Sequence, residues 1–191
     1  MRKLVYYIAV TIDGRIAGPA DEFDFFPQGE GEQLAAYQGW MVERLPDTIP
    51  SFGREALGLA GTPNRRFDTV LMGGATYRVG GANPYAHLRQ YVVSRTMTPD
   101  QDPAVTVVED DPLGLVRDLK REEGQDIWLC GGGRLAGELL PEIDELIIKS
   151  YPVVAGDGIP AFDGKFGPTL FTVTERRSFD NGVVVSWMAR R

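Results

Sequence analysis

The sequence predicts an α/β fold: a mainly parallel central sheet flanked by helices, with an antiparallel C-terminal hairpin. Three observations predict it. Short apolar strands alternate with segments of helical periodicity through most of the chain. Two of those strands run straight into glycine turns, at Gly73-Gly74 and at Gly131-Gly132-Gly133. Two last strands flank Asp180-Asn181-Gly182, a turn sequence that favours a tight hairpin.

The elements follow in order. Leu4–Ile12 is rich in Val, Ile and Tyr and stops at Asp13-Gly14; the chain re-enters at Ile16-Ala17-Gly18. Glu30–Leu45 carries Leu34, Tyr37, Met41, Val42 and Leu45 at helical spacing. Pro46 to Arg66 is punctuated by Pro and Gly and reads as a long excursion, with a short helix around Arg54–Leu59. Phe67–Met72, Gln90–Ser94 and Ala104–Val108 read as short strands. Asp111 is a helix N-cap with Pro112 at the first helical position. Leu113, Val116 and Leu119 continue that helix, and Gly124 stops it. Asp126–Cys130 is a strand, and Leu135, Leu139 and Leu140 form an apolar helical stripe. Leu146–Val154 is a strand interrupted at Pro152, and Thr169–Thr174 and Val183–Ala189 are the hairpin strands. There is no internal repeat or hinge linker, so residues 1–191 read as one domain.

Composition narrows the function. Lys and Arg number 20 against 27 Asp and Glu, a net charge of −7 that argues against nucleic acid or anionic lipid as partner. A single cysteine, Cys130, permits no disulfide within the chain and suits a reducing cytoplasm. One cysteine and one histidine, His87, cannot build a His/Cys metal cluster, nor a deaminase zinc motif. The longest apolar run, Leu4–Val10, is far short of the ~20 residues of a membrane span. Behind Met1-Arg2-Lys3 it looks superficially like a signal peptide, but an Asp-Gly turn follows in place of a cleavage site.

Three segments carry candidate chemistry. In Val70–Tyr77 a strand ends, two glycines follow and Thr76 opens a short helix. Ile127–Leu135 repeats that logic with three glycines and Arg134. Glycines let a phosphate approach the backbone, and helix N-termini favour anions. Neither segment is a G-x-G-x-x-G fingerprint or an NTPase loop. The third, Tyr91–Thr96, ends a strand in Ser94, Arg95 and Thr96, a set able to grip a phosphomonoester.

Together with Ala9–Gly18, these segments in this order and spacing resemble the dihydrofolate reductase-like fold. More closely, they are similar to the C-terminal reductase domain of the bacterial riboflavin-biosynthesis deaminase/reductase and its stand-alone relatives. The residues that carry the resemblance are Ala9–Gly18, Phe67–Gly73 with Thr76-Tyr77, Val93-Ser94-Arg95, Gly131–Gly133 with Leu135, and Gly156–Phe162. It implies a homodimeric NADPH-dependent reductase of a small pyrimidine- or pteridine-like molecule. It also implies positions for the cofactor. Ala9 and Ile16 offer backbone groups to the nicotinamide carboxamide. Gly73, Thr76 and Tyr77 cap one side of the pyrophosphate, and Gly131, Gly132, Gly133, Arg134 and Leu135 cap the other. Ser94 and Arg95 hold the 2′-phosphate. Two positions depart from the pattern: Gly74 stands where relatives often carry Arg, and Phe25 stands where they carry Trp. The alternative is a non-catalytic NADP-binding protein of the same fold.

Hydride transfer to C=N or C=O needs a proton at the other atom. Asp24, beside Phe25 and Phe26, is the candidate donor or substrate anchor, set against an exposed loop carboxylate. Lys149, in an otherwise apolar strand, is the candidate for binding an anion or polarising a carbonyl, set against an outward-facing lysine. Asp13 reads as a turn residue, His87 as structural, Cys130 as an inert core thiol, and Tyr37 and Trp40 as core. A hydrolase built on Ser94 or Ser51 with His87 lacks a G-x-S-x-G elbow.

Overall fold

The computed structural model describes residues 1–98 and 104–191. An eight-stranded sheet is built from β1 (Leu4–Val10), β3 (Phe67–Gly73), β4 (Arg89–Val93), β5 (Val105–Val108), β6 (Asp126–Gly131), β7 (Ile143–Ser150), β9 (Phe171–Ser178) and β10 (Val184–Arg190). Its order is β5-β4-β3-β6-β1-β7-β10-β9. The first six strands in that order run parallel, and β10 and β9 are antiparallel. Two short strands, β2 (Arg15–Ala17) and β8 (Ile159–Pro160), pair antiparallel to each other beside it.

Strand alternation divides the core into two layers. Val5, Tyr7, Trp128, Ile147, Tyr151 and Trp187 face α1 (Gly31–Arg44), which contributes Tyr37 and Trp40 as expected. Leu4, Tyr6, Leu71, Leu129 and Leu146 face α4 (Pro112–Arg121) and α5 (Gly133–Leu139), which contribute Val116, Leu119, Leu135 and Leu139. The Asp111 carboxylate accepts from Gly114 N at 2.9 Å, the cap that the Asp-Pro pair predicts.

The excursion after α1 contains a 3-10 turn at Pro46–Thr48 and α2 (Ser51–Arg54), which ends at the residue where the short helix was expected to begin; residues 55–58 form a turn instead. It is organised by Asp47, fully buried, whose carboxylate accepts from the backbone N–H groups of Arg65, Arg66 and Phe67 at 3.0, 2.7 and 3.0 Å. These bonds deliver the chain into β3. Ser51 and His87 do meet, Oγ to Nδ1 at 3.5 Å, but as a loop staple. Ser51 Oγ accepts from Ala86 N, and His87 Nε2 donates to the Asp47 carbonyl, not to a carboxylate. Ser94 Oγ likewise accepts from Thr96 N and Met97 N, and so caps its own turn.

Candidate functional site

The connections change direction across the sheet between β6 and β1. After β1 the chain fills the β3-β4-β5 side, then returns through β6 and crosses to β7. Open α/β sheets bind ligands beyond the carboxyl ends of strands at such a reversal. The ladder itself opens there. β1 pairs with β6 from Leu4–Ile127 to Tyr6–Leu129, whereas it pairs with β7 on to Val10–Ser150. A groove of about 1020 Å³ lies over this end of the sheet.

Both glycine turns line it, and they face each other. A Cβ on Gly73 would lie 3.6 Å from Gly132 N, and one on Gly132 would lie 3.6 Å from the Thr76 hydroxyl. The Gly131–Gly132 peptide is cis. α3 (Gly74–Gly80) starts at the first turn and α5 at the second. The two adjoining backbones form a cradle that side chains would fill. Gly74, buried, is tight for another reason: its Cβ would meet Ser94 Oγ at 3.0 Å. Ser94 and Arg95, from the end of β4, line the far end of the groove. Arg95 is 84% exposed and lies 4.0 Å from the Asp110 carboxylate, so its charge is available to a bound anion.

The third glycine has a different task. A Cβ on Gly133 would fall 1.9 Å from the Pro160 carbonyl oxygen, and one on Gly137, a turn later, 2.2 Å from that of Asp163. Helix α5 thus lies directly on the 160–164 backbone, and Asp163 N donates to Gly133 O at 2.9 Å. This contact builds one wall of the groove, since Pro160 and Asp163 line it. Gly137 does not stand out beside the glycine run in the sequence; its spacing of four from Gly133 is the signal that puts both on one helix face.

Of the other expected cofactor positions, Ile16, Thr76, Arg134 and Leu135 line the groove. Ala9 sits behind it, packed against the core on the α1 side. Tyr77 is turned into that core, and its hydroxyl accepts from Asn83 N at 3.3 Å. Asp24 is exposed and outside the groove's lining, while Phe26 is buried against Tyr151, ring centroids 5.0 Å apart. Asp21 and Phe23 from the same loop do line the groove. Asp13 clips its turn to the late loop. It accepts from the Thr11 hydroxyl at 2.6 Å, Ala155 N at 3.0 Å and Gly156 N at 2.8 Å, and these bonds hold its pKa down at about 2.

On the α1 side of the crevice, Lys149 of β7 and Tyr151, the residue after the strand ends, lie beside Tyr7 and its layer of the core. The Lys149 ammonium is half-buried, 4.4 Å from the centre of the Tyr7 ring. Burial works to lower its pKa and the phenols of Tyr7 and Tyr151 work to raise it. The balance lies above the ordinary lysine value, so it is cationic at neutral pH. Cys130 lies between this cluster and the groove. Burial pushes its thiol up to about 12, which keeps it protonated and unreactive. Among the described residues, no helix is long and apolar enough to cross a membrane, and no group of His, Cys, Asp and Glu could hold a metal ion.

Comparison with known proteins agrees with this geometry. Residues 2–185 match the model of the RibD C-terminal domain. The uncharacterized protein YwjB of Bacillus subtilis is 29% identical over 193 residues, covering 98% of each chain. A dihydrofolate reductase from Enterococcus faecalis, solved in complex with NADP(H), superposes with a TM-score of 0.64 at 13% identity, over 99% of this chain and 96% of that one. The Thermotoga maritima diaminohydroxyphosphoribosylaminopyrimidine deaminase/5-amino-6-(5-phosphoribosylamino)uracil reductase superposes with a TM-score of 0.61 at 15% identity. That match takes in 100% of this chain and 57% of the larger one. The fold is therefore dihydrofolate reductase-like.

Proposed function

Because the chain belongs to the RibD C-terminal domain family, we propose that it is an NADPH-dependent reductase acting on a small conjugated heterocycle of the pyrimidine or pteridine kind. The observation that carries this reading is the pair of facing glycine turns where β1 and β6 part. The cradle is free of side chains, lies at the sheet's point of reversal, and shares its groove with the exposed Arg95 guanidinium. Those features fit a dinucleotide phosphate.

The bound nicotinamide supplies the hydride. The chain's residues orient and neutralise. Gly73, Gly131, Gly132 and Thr76 receive the pyrophosphate, with Arg134 exposed beside them. Ser94 and Arg95 receive the 2′-phosphate. Ile16, with the backbone near Ala9, borders the nicotinamide, and Leu135 and Pro160 exclude water from the wall. The substrate occupies the space between that ring and α1. A homodimer and a place in riboflavin synthesis in the cytoplasm belong to the same proposal. The first is supported by the exposed edge strand β9, the second by the family alone.

The test is a titration with NADPH and with NADH, followed by nicotinamide fluorescence. The expected result is micromolar NADPH binding, tighter than NADH and weakened about tenfold by Arg95→Ala, as for loss of one charged hydrogen bond at an exposed site. Failure of both nucleotides to bind would refute it. A second reading, a non-catalytic NADP-binding protein, draws on the exposure of Asp24, which leaves the presumed donor outside the groove. It predicts NADPH binding with no oxidation in the presence of any conjugated substrate.

A further inference from the structure

The side chains of β7 alternate across the sheet, so Ile147 and Lys149 point to the α1 layer, and Tyr151, just past the strand, joins them there. A lysine in that series places a charge among aromatic rings: Tyr7, Tyr37, Tyr151 and, against Tyr151, Phe26. Buried charges are ordinarily paired with an opposite charge. Lys149 is not. Among the described residues no carboxylate lies within ion-pair distance of its ammonium, although Lys3, Lys120 and nine arginine-carboxylate contacts show how readily this acidic chain pairs its other cations. The Tyr7 ring offsets part of the cost through its π face, and a ring face supplies no counter-charge.

The surrounding hydroxyls are unequally occupied. Tyr37 and Tyr151 bond to each other, oxygen to oxygen at 2.8 Å. The Tyr7 hydroxyl donates to the Met41 thioether at 3.5 Å, a weak acceptor that an anion would outcompete. The same Tyr7 ring lies 4.4 Å from the Lys149 ammonium. An ammonium and an under-used phenol donor therefore converge beside the crevice. Ala9 is the register partner of Lys149, and Cys130, its electrostatic neighbour on the other side, lines the groove.

We propose that Lys149, with the Tyr7 hydroxyl, is an anion-recognition pair, and that the molecule taken up between the crevice and α1 is a flat conjugated ring bearing a carboxylate. Two adjacent donors match the two oxygens of a carboxylate. The aromatic surroundings match a flat ring. A phosphate, with more oxygens to satisfy, would leave acceptors unmet in so aromatic a site. The proposal rests on the reductase reading for the place of its ligand, but its test does not depend on that reading.

The test uses benzoate and benzamide, which share a ring and differ in charge. Each is titrated into the protein with and without NADP⁺, followed by saturation-transfer NMR. The wild type is expected to hold benzoate about tenfold or more tighter than benzamide, the worth of a charged hydrogen bond. Lys149→Met is expected to abolish that preference, and Lys149→Arg to retain part of it. Equal binding of the two probes by the wild type overturns the proposal, as does a preference that survives in Lys149→Met. Should Lys149→Met fail to fold, the wild-type comparison and Lys149→Arg still decide. A benzoate preference without NADPH binding would leave Lys149 its role and refute the reductase; NADPH binding without the preference would do the reverse.

Discussion

Gly137→Ala tests the contact between α5 and the 160–164 backbone. Two effects oppose each other. Alanine is the better helix former by roughly 0.8–1.0 kcal/mol, so propensity alone predicts stabilisation. The new Cβ would lie 2.2 Å from the Asp163 carbonyl oxygen and 2.6 Å from its carbon. Carbon and carbonyl oxygen approach to about 3.3 Å at closest comfort, so the strap must withdraw by about 1 Å. The obstacle is backbone, held by the Asp163 N–Gly133 O bond, and cannot rotate aside. Overpacking costs about 1–3 kcal/mol, and a backbone obstacle belongs at the upper end. The net is a loss of about 1–2 kcal/mol, or a Tm lowered by about 2–8 °C for a chain of this size. Gly39→Ala is the matched control. Gly39 lies inside α1 with nothing within 4 Å of its Cβ, so only propensity acts. It should gain about 0.8–1 kcal/mol and raise the Tm by about 2–4 °C. Urea denaturation of both variants, with NADPH titrations alongside, separates the effects. Gly137→Ala should weaken NADPH severalfold because Pro160 and Asp163 line the groove; Gly39→Ala should not. A stabilised Gly137→Ala would refute the close approach and the account of the groove wall built on it.

Two further outcomes concern the excursion after α1. Asp47→Ala takes the acceptor from three backbone N–H groups, that of Phe67 buried and those of Arg65 and Arg66 part-buried, and should cost about 2–3 kcal/mol by urea denaturation. Asp47→Asn, which keeps one acceptor oxygen, should cost less. His87 sets a pH dependence: burial holds its pKa below the ordinary 6.5, so the unfolded chain binds the proton more readily than the folded one. Its share of stability is complete above about pH 6.5 and is lost as pH falls toward the lower folded value. Thermal melts of the wild type and His87→Gln between pH 7 and pH 5 check this, and the variant should show the shallower decline.

Much of the architecture was legible because local chemistry and tertiary role coincided. Asp111-Pro112 starts α4, Asn181-Gly182 turns the hairpin, and the stripe in Glu30–Leu45 becomes α1 to within a residue at each end. Elsewhere polar residues hid strands. β7 begins at Ile143 rather than Leu146, because Asp144 and Glu145 are strand residues that pair with Lys120, Lys3 and Arg66. β9 runs on through Glu175, Arg176 and Arg177, which an exposed edge tolerates on both faces. Two-residue β8 carries no periodicity at all. In the site, the glycine turns and the Ser94-Arg95 pair were readable as residue types. Which glycine faced a ligand and which faced another backbone depended on the packing of α5, and Tyr77 differs from Thr76 only by the side of α3 it occupies.

The strand order also bears on how the chain is made. β1 is synthesised well before its neighbours, since Leu4 pairs with Ile127 and Ile143. At ribosomal speeds of ~5–20 residues per second, Leu-Val-Tyr-Tyr-Ile-Ala-Val waits on the order of 6–25 seconds for a partner. During that wait it is an apolar, β-prone segment without charge, a target for chaperones and for association with neighbouring nascent chains. The crevice where β1 and β6 part is thus among the last places in the molecule to take shape.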